Sequence, residues 1–284
     1  MHGIVLVWAL AASVSLSPSR QEQAAALAPT AIGATDAERE AFLLEAKVVK
    51  TRAAGGGGIT GALRATLRQG ELQHDALVQT IDEEKPFLDL ARGRELEFRD
   101  SYKNNVAAYR LDRLLGLGMV PVSVVRLHDG KRGGFTWWVD DVLMDERARL
   151  AKKLGAPDTE RWNRQMWVVR LFDQLIYNTD RNLGNLLIDQ DWRLWMIDHT
   201  RAFKMFKEPK SPKNLAPLCA RGLLEALRRL DQATLVAVNK DLLSEAQVKG
   251  LLARRDFIVK YYEERIRDLG ETAVLYEFPS RVEP

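Results

Sequence analysis

The chain has 284 residues, of which 46% are hydrophobic and 29% are charged. This composition allows a buried core and excludes a disordered tail, a collagen-like fibre and a disulfide scaffold. Cys219 is the single cysteine, so neither an intramolecular disulfide nor an all-cysteine metal site can form. With 42 basic and 39 acidic residues the net charge is +3, and this near balance does not indicate a nucleic-acid-binding protein.

The N-terminal residues predict a leader and a linker. Ile4 to Leu16 is an uncharged run of 13 residues. It is shorter than the roughly 20 residues that span a bilayer and has the length of the apolar core of a secretory signal peptide. No lysine or arginine precedes it, so an apolar leader on a cytoplasmic protein is the alternative to export into the periplasm or the medium. We predict a leader over residues 1–20, a flexible linker over residues 21–37 and no transmembrane helix in the mature domain.

Residues 38–145 are predicted to be mostly sheet with one helix. Alternating apolar and polar residues indicate three short strands between Ala41 and Asp82, joined by turns that contain glycine. The charged stretch from Asp82 to Phe98 has no clear pattern and is left unassigned. Asp100 or Ser101 caps a helix that starts near Tyr102, and two more strands flank a turn at Asp129 and Gly130.

Residues 146–284 are predicted to be mainly helical. Glu160 to Tyr177 has the apolar spacing of a long amphipathic helix. A polar loop over residues 178–185 and a hairpin over residues 186–198 follow it. Three further helices are predicted at Leu218 to Leu230, Gln232 to Asn239 and Ser244 to Leu269. The fold class is therefore α+β, with a β-rich lobe, a helical lobe and a connector around residues 137–145.

The segment between the long helix and the end of the hairpin contains a set of groups suited to phosphoryl transfer. Asp180 is followed five residues later by Asn185 and thirteen residues after that by Asp198. Phosphoryl transfer from ATP needs one carboxylate to orient the attacking hydroxyl and an amide and a second carboxylate to hold Mg²⁺. The alternative is that Asp, Asn and Gly serve only the geometry of the turns.

These spacings, within DRNLGNLLI and MIDHTRAF, resemble the catalytic loop and metal-binding triplet of protein kinases. The order Asp-Arg is similar to that of the atypical branch, which includes phosphatidylinositol 3- and 4-kinases, HipA-like kinases and secretory-pathway kinases, and especially to uncharacterised bacterial members. The resemblance implies a bilobal protein-kinase-like fold, ATP with Mg²⁺ (or Mn²⁺) as cofactors, Asp180 as the catalytic base, and Asn185 and Asp198 as metal ligands. It leaves open whether the acceptor is a protein, a lipid or a small molecule. We expect a monomer that does not bind nucleic acid.

A glycine run between the first two strands is predicted to cover the nucleotide phosphates, because glycine lets backbone N–H groups approach phosphate oxygens. A flexible hairpin turn is the alternative. Arg64 reaches phosphate or lies on a solvated strand face, and the connector is expected to bind adenine. The candidate nucleotide-binding residues are Gly55, Gly56, Gly57, Gly58, Gly61, Arg64, Gln79, Trp138 and Val139.

Two departures from the kinase pattern bear on activity. Kinases place a lysine on the third strand and a glutamate on the helix, whereas the matching positions here are Gln79 and Asn105. This pair can hydrogen-bond but supplies no positive charge. The leading hypothesis is a phosphotransferase. The alternatives are a pseudokinase that binds nucleotide or docks a partner, and a transferase of AMP.

Other residues near the motif have simpler expected roles. His199 is expected to pack its loop, and Arg181 is expected to form an internal ion pair with Asp198 or another acid. The lysines at positions 204, 207, 210 and 213 form either a solvated loop or a surface for an acidic substrate.

Overall fold

The computed structural model describes residues 35–55, 61–90 and 93–281. The predicted leader and nearly all of the predicted linker lie outside these residues. The helices are α1 (Asp36–Glu45), α2 (Tyr102–Leu114), α3 (Glu146–Ala151), α4 (Thr159–Leu175), α5 (Arg221–Arg229), α6 (Gln232–Val238), α7 (Glu245–Leu269) and α8 (Glu271–Val274). The strands are β1 (Lys47–Ala53), β2 (Leu63–Gln69), β3 (Leu72–Gln79), β4 (Asp82–Leu90), β5 (Gly93–Ser101), β6 (Ser123–His128), β7 (Lys131–Trp137), β8 (Val142–Asp145), β9 (Leu186–Asp189), β10 (Leu194–Met196), β11 (Cys219–Ala220) and β12 (Leu275–Tyr276).

The first lobe is built on a five-stranded antiparallel sheet in the order β1-β2-β3-β7-β6. The three-stranded meander predicted from the sequence is present, and Gln69 pairs with Leu72 across its second turn. Helix α1 was not predicted. Thr35 and Glu38 form a capping box at its start, and this reciprocal cap stabilises a helix N-terminus. The apolar side chains Phe42 and Leu43 of α1 are buried in the core.

Helix α2 packs closely on the sheet, at the place predicted from the sequence. Its Val106, Ala107 and Leu111 are fully buried. A Cβ atom at Gly134 of β7 would lie 3.3 Å from the Tyr102 side chain, so the glycine permits this close approach. The approach brings the buried face of α2 next to the end of β3.

The unassigned stretch from Asp82 to Phe98 belongs to a long antiparallel hairpin, β4–β5, which forms a sheet of its own. Phe87 pairs with Leu96 in its register, and both side chains are exposed. The hairpin leads directly into α2, and its Glu95 contacts Thr179 and Lys204 of the second lobe. Its charged sequence reflects a solvated two-stranded sheet.

The second lobe is mainly helical. Helix α4 buries Val168, Phe172 and Leu175, and its predicted bounds differ from the observed ones by at most two residues. The hairpin β9–β10 is extended by β8 into a three-stranded sheet. Helix α5 starts three residues later than predicted, because Cys219 pairs with Leu275 in the parallel contact of β11 with β12.

Across the ranges that the structure describes, none of the helices combines the length and the apolar character needed to cross a membrane.

Candidate active site

The loop after α4 presents Asp180 to solvent on a fixed backbone. The N–H of Asp180 donates to Asn178 Oδ1 at 3.0 Å, and its carbonyl oxygen accepts from Asn185 Nδ2 at 3.2 Å. The side chain is 42% exposed and lies 3.8 Å from the guanidinium of Arg201. An accessible carboxylate on a rigid loop is suited to accept a proton from a bound hydroxyl.

The β9–β10 hairpin brings Asn185 and Asp198 to the same edge. Leu186 pairs with Met196, and the N–H of Ile197 donates to the carbonyl oxygen of Asn185 at 3.1 Å. The two predicted metal ligands therefore stand at neighbouring strand ends, although thirteen residues separate them in the sequence.

Arg181 connects the Asp180 loop with the two ends of the β9–β10 hairpin. Its guanidinium pairs with the Asp173 carboxylate at 3.0 Å, as the expected internal ion pair. It also donates to the carbonyl oxygens of Asn185 at 3.0 Å and Ile197 at 2.7 Å, and to His199 Nε2 at 2.9 Å. Because guanidinium is planar with several fixed donors, one side chain sets the spacing between the Asp180 loop and the segment that follows β10 and carries Asp198.

His199 has the packing role that the sequence indicated. It is buried and lies edge-on to Phe172, with the ring centres 6.0 Å apart. Burial and then the charge of Arg181 lower the pKa of His199 well below its usual range. The imidazole is therefore neutral and accepts the Arg181 hydrogen bond.

Asp198 has a left-handed backbone conformation, with φ of 56°, which is uncommon for non-glycine residues but is more often adopted by aspartate than by most others. Its Oδ1 accepts from the Thr200 hydroxyl at 3.1 Å. The carbonyl oxygen of Thr200 accepts from the Ser101 N–H at 3.0 Å and from Asn104 Nδ2 at 2.7 Å. The start of α2 thus fixes the turn that carries Asp198.

The residues at the predicted Lys–Glu positions form a neutral pair. Asn105 Nδ2 donates to Gln79 Oε1 at 2.5 Å, and both side chains are buried. Asn105 Oδ1 accepts from the His199 N–H at 2.6 Å. The pair therefore links β3, α2 and the Asp198 turn without charge.

The donor set fits a divalent cation. Asn185 uses its Nδ2 on the Asp180 carbonyl oxygen, which leaves its Oδ1 as an amide oxygen for a cation, and Asp198 supplies a carboxylate from the adjacent segment. Within the described ranges, no group of three or more His, Cys, Asp or Glu side chains is arranged to hold a metal. Mg²⁺ is commonly held by one or two protein carboxylates together with substrate phosphates, and such a site meets that description.

The predicted nucleotide cover is described only in part. The β1–β2 turn is closed by the Ala54 N–H on the Ala62 carbonyl oxygen at 3.0 Å. Gly55 and Gly61 flank its tip with φ of 83° and 64°. The predicted residues Gly56, Gly57 and Gly58 lie outside the described residues.

Arg64 contacts the connector, residues 137–145, through Trp138. Arg64 pairs with Asp75 at 2.5 Å and lies over the Trp138 ring at 4.0 Å. The N–H of Trp138 donates to the Asp75 carbonyl oxygen at 3.1 Å, while Trp137 is in the core. Val139 is half-buried, and no hydrogen bond to its backbone is present among the described residues.

Sequence reasoning missed Glu95, which lies on the unassigned hairpin. Its carboxylate accepts from Thr179 Oγ1 at 3.0 Å, from Lys204 Nζ at 2.6 Å and from Arg201 Nη2. Glu95 thus binds the residue before Asp180 and the segment after Asp198. Lys204 is only 2% exposed, which removes it from any basic surface formed by the lysine loop. The gap of 106 residues between Glu95 and Arg201 leaves no local signal for this contact.

Comparison with solved structures identifies the fold. A hydra Fam20 structure with sugar aligns with a TM-score of 0.65 and 15% identity over 86% of this chain and 93% of that one. A Golgi casein kinase structure with Mn and ADP bound aligns at 0.60 and 12% over 86% and 80%, and a second Golgi casein kinase structure at 0.62 and 12% over 87% and 78%. No family model and no curated protein matches the sequence. The chain has the bilobal α+β protein-kinase-like fold, with a β-rich lobe and a helical lobe, as its sequence predicted.

Proposed function

We propose that the protein transfers the γ-phosphate of ATP to a hydroxyl group of an unidentified protein, lipid or small-molecule acceptor, with Mg²⁺ or Mn²⁺ bound. The observation that carries the proposal is the Arg181 network. It fixes the loop of Asp180 and Asn185 against the strand that leads to Asp198. A turn selected only for backbone geometry does not require an accessible carboxylate and two oxygen ligands held at one edge.

In this mechanism Asp180 orients the acceptor hydroxyl and takes its proton. The hydroxyl oxygen forms a bond to the γ-phosphorus as the bond from that phosphorus to the β–γ bridging oxygen breaks, and ADP leaves. Asn185 Oδ1 and the Asp198 carboxylate would hold the cation, and a bound divalent cation would offset negative charge on the phosphoryl oxygens. The Golgi casein kinase neighbour has Mn and ADP bound, which supports this cofactor pair.

The two lobes have separate tasks in the proposal. Residues 38–145 bind the nucleotide, with the glycine hairpin over the phosphates and Val139 beside adenine. Residues 146–284 supply the catalytic loop and the metal ligands. Because Arg64 is paired with Asp75 and stacked on Trp138, its role is to shape the nucleotide edge of the sheet.

The test is metal-dependent consumption of ATP by the full chain. Asp180→Ala removes the proton acceptor, and general-base catalysis contributes about 10²- to 10⁴-fold to rates, so turnover falls by that factor while nucleotide binding persists. Asp198→Ala removes metal dependence together with turnover. Asp191→Asn, in the exposed turn of the same hairpin, is the matched control and keeps the parent rate. Parent turnover in Asp180→Ala would exclude the assignment.

A pseudokinase is the second candidate, and the neutral Gln79–Asn105 pair favours it. No lysine at this position is available to hold the α- and β-phosphates, so binding without turnover is the outcome that identifies a nucleotide sensor or docking module. A thermal-shift titration with ATP and Mg²⁺, beside the turnover assay, separates the two candidates. Mass spectrometry of modified acceptor separates added phosphate from added AMP.

We further propose that the protein acts outside the cytosol. The apolar leader predicted from the sequence supports export, and the neighbouring casein kinase is named for the Golgi. Sequencing the N-terminus of the mature protein tests this directly. An intact leader on the purified protein would favour the cytoplasmic alternative.

A further inference from the structure

Asp100 is a buried acid at the boundary between the two lobes. It is the penultimate residue of β5, and its residue exposure is 7%. Oδ1 of Asp100 has no hydrogen-bond partner among the described residues. In the part of the chain that the structure describes, no lysine, arginine or histidine forms an ion pair with it, and Lys103 and Arg201 pair with Asp82 and Asp180. A buried carboxylate without a cation is strongly unfavourable, so its retention needs a reason.

The surroundings of Asp100 point to the candidate metal site. The N–H of the next residue, Ser101, donates to the Thr200 carbonyl oxygen at 3.0 Å, which places Asp100 beside the Asp198 turn. The Thr200 hydroxyl interacts with both the Asp100 and the Asp198 carboxylates. One hydroxyl has a single proton, so it cannot satisfy both acids.

Neighbouring carboxylates make a negative charge on Asp100 still less favourable. Burial, followed by the negative charges of Asp198, Glu83 and Asp180, raises the pKa of Asp100. Asp180 has Arg201 as a neighbour, whereas Oδ1 of Asp100 is unsatisfied among the described residues. Three carboxylates, those of Asp100, Asp180 and Asp198, thus influence one another where the proposed function places a cation.

We propose that Asp100 is a further ligand of the divalent cation held by Asn185 and Asp198. This inference rests on the proposed function. Asp100 belongs to the β-rich lobe, whereas Asn185 and Asp198 belong to the helical lobe, so the cation joins the two lobes at the start of α2. The extra carboxylate strengthens metal binding in a site where the neutral Gln79–Asn105 pair supplies no positive charge of its own.

The test measures Mn²⁺ binding to the full chain in the presence of ADP, by the loss of the paramagnetic resonance signal of free Mn²⁺. Asp100→Asn keeps the size of the side chain and removes the charge. We expect its Mn²⁺ affinity to fall about tenfold or more, in the range seen when groups that support a metal are removed. Asp89→Asn, on the same hairpin in an exposed ion pair, is the matched control and keeps the parent affinity. Asp198→Asn is the positive control for loss.

A melting curve of the metal-free protein gives the second readout. Removing an unpaired buried charge leaves the melting temperature of Asp100→Asn unchanged or raises it, whereas a purely structural acid would lower it on substitution. Asp100→Ser, which is smaller, is made in parallel in case the asparagine variant does not fold. It should likewise bind Mn²⁺ about tenfold or more weakly without a drop in melting temperature.

The outcomes separate the two proposals. Parent affinity for Mn²⁺ in the folded Asp100 variants overturns the role of Asp100 and leaves the proposed function standing. A lowered melting temperature of the metal-free variants also overturns it, since Asp100 then acts through folding. If the parent protein with ADP binds no Mn²⁺, the proposed function fails first and the role of Asp100 fails with it.

Discussion

Replacing Arg181 by alanine tests whether one side chain holds the candidate site together. The change removes the ion pair with Asp173 and the donors to the carbonyl oxygens of Asn185 and Ile197. It also removes the donor to His199. Asp173 stays behind as a buried carboxylate whose remaining side-chain partner is Asn178, at 3.0 Å.

The expected loss of unfolding free energy follows from the burial of the Arg181–Asp173 ion pair. The side chains of Arg181 and Asp173 are 13% and 11% exposed, and breaking a buried ion pair from one side costs about 3–5 kcal/mol of unfolding free energy. For a chain of this size, that loss lowers the melting temperature by roughly 6–20 °C, at about 2–4 °C per kcal/mol. Arg181→Lys keeps the charge but loses the planar fork, so it should be intermediate in stability.

The measurement is urea denaturation followed by tryptophan fluorescence, with Arg228→Ala as the matched control. Arg228 pairs with Glu263, and both side chains are about half exposed. Such pairs contribute about 0–1 kcal/mol. If Arg181→Ala loses no more stability than Arg228→Ala, the Arg181 network does not hold the site, and the argument that carries the proposed function is refuted.

Three further predictions concern other contacts. Gln79→Lys and Asn105→Glu each bury an unpaired charge, whereas the double variant restores an ion pair, so a double-mutant cycle should show a coupling of about 1–3 kcal/mol. Burial raises the pKa of the Cys219 thiol to about 12. The unfolded thiol ionises near pH 9 while the folded thiol stays protonated, so between pH 9 and 12 the parent should lose about 1.4 kcal/mol per pH unit more than Cys219→Ala. Glu95→Gln leaves the buried Lys204 without its carboxylate and should cost about 3 kcal/mol of unfolding free energy.

For each of these three predictions, a specific outcome or control variant would contradict the reasoning. Additive effects in the Gln79–Asn105 cycle would show that the two positions are independent despite their 2.5 Å contact. Parallel pH profiles of the parent and Cys219→Ala would show that the thiol is accessible in the folded state. For Glu95, the control is Glu84→Gln on the same hairpin, where the glutamate is exposed. An equal loss in the two variants would mean that Glu95 contributes only a surface pair.

A comparison of the predicted and observed strands and helices shows which elements short stretches of sequence can predict. The alternation in β1 to β3, the turn at Gly70 and the periodicity of α4 are short-range patterns, and each element formed where its pattern lies. Helix α1 escaped notice because its ten residues lie in a segment interpreted as linker and strand. Its Thr35–Glu38 capping box was the available signal. The β4–β5 hairpin escaped because its residues are charged and its apolar residues Phe87 and Leu96 face solvent.

The sequence by itself determined the order of most strands and helices, α1 and the β4–β5 hairpin excepted, and the spacing of Asp180, Asn185 and Asp198, since both depend on neighbours along the chain. The tertiary structure decided which distant residues support that site. Gln79 meets Asn105 across 26 residues, and Ser101, just after Asp100, meets Thr200 across about a hundred. These contacts depend on how α2 packs on the sheet and on how its N-terminus meets the second lobe. Such packing is set by the whole core, so no local window of sequence contains it.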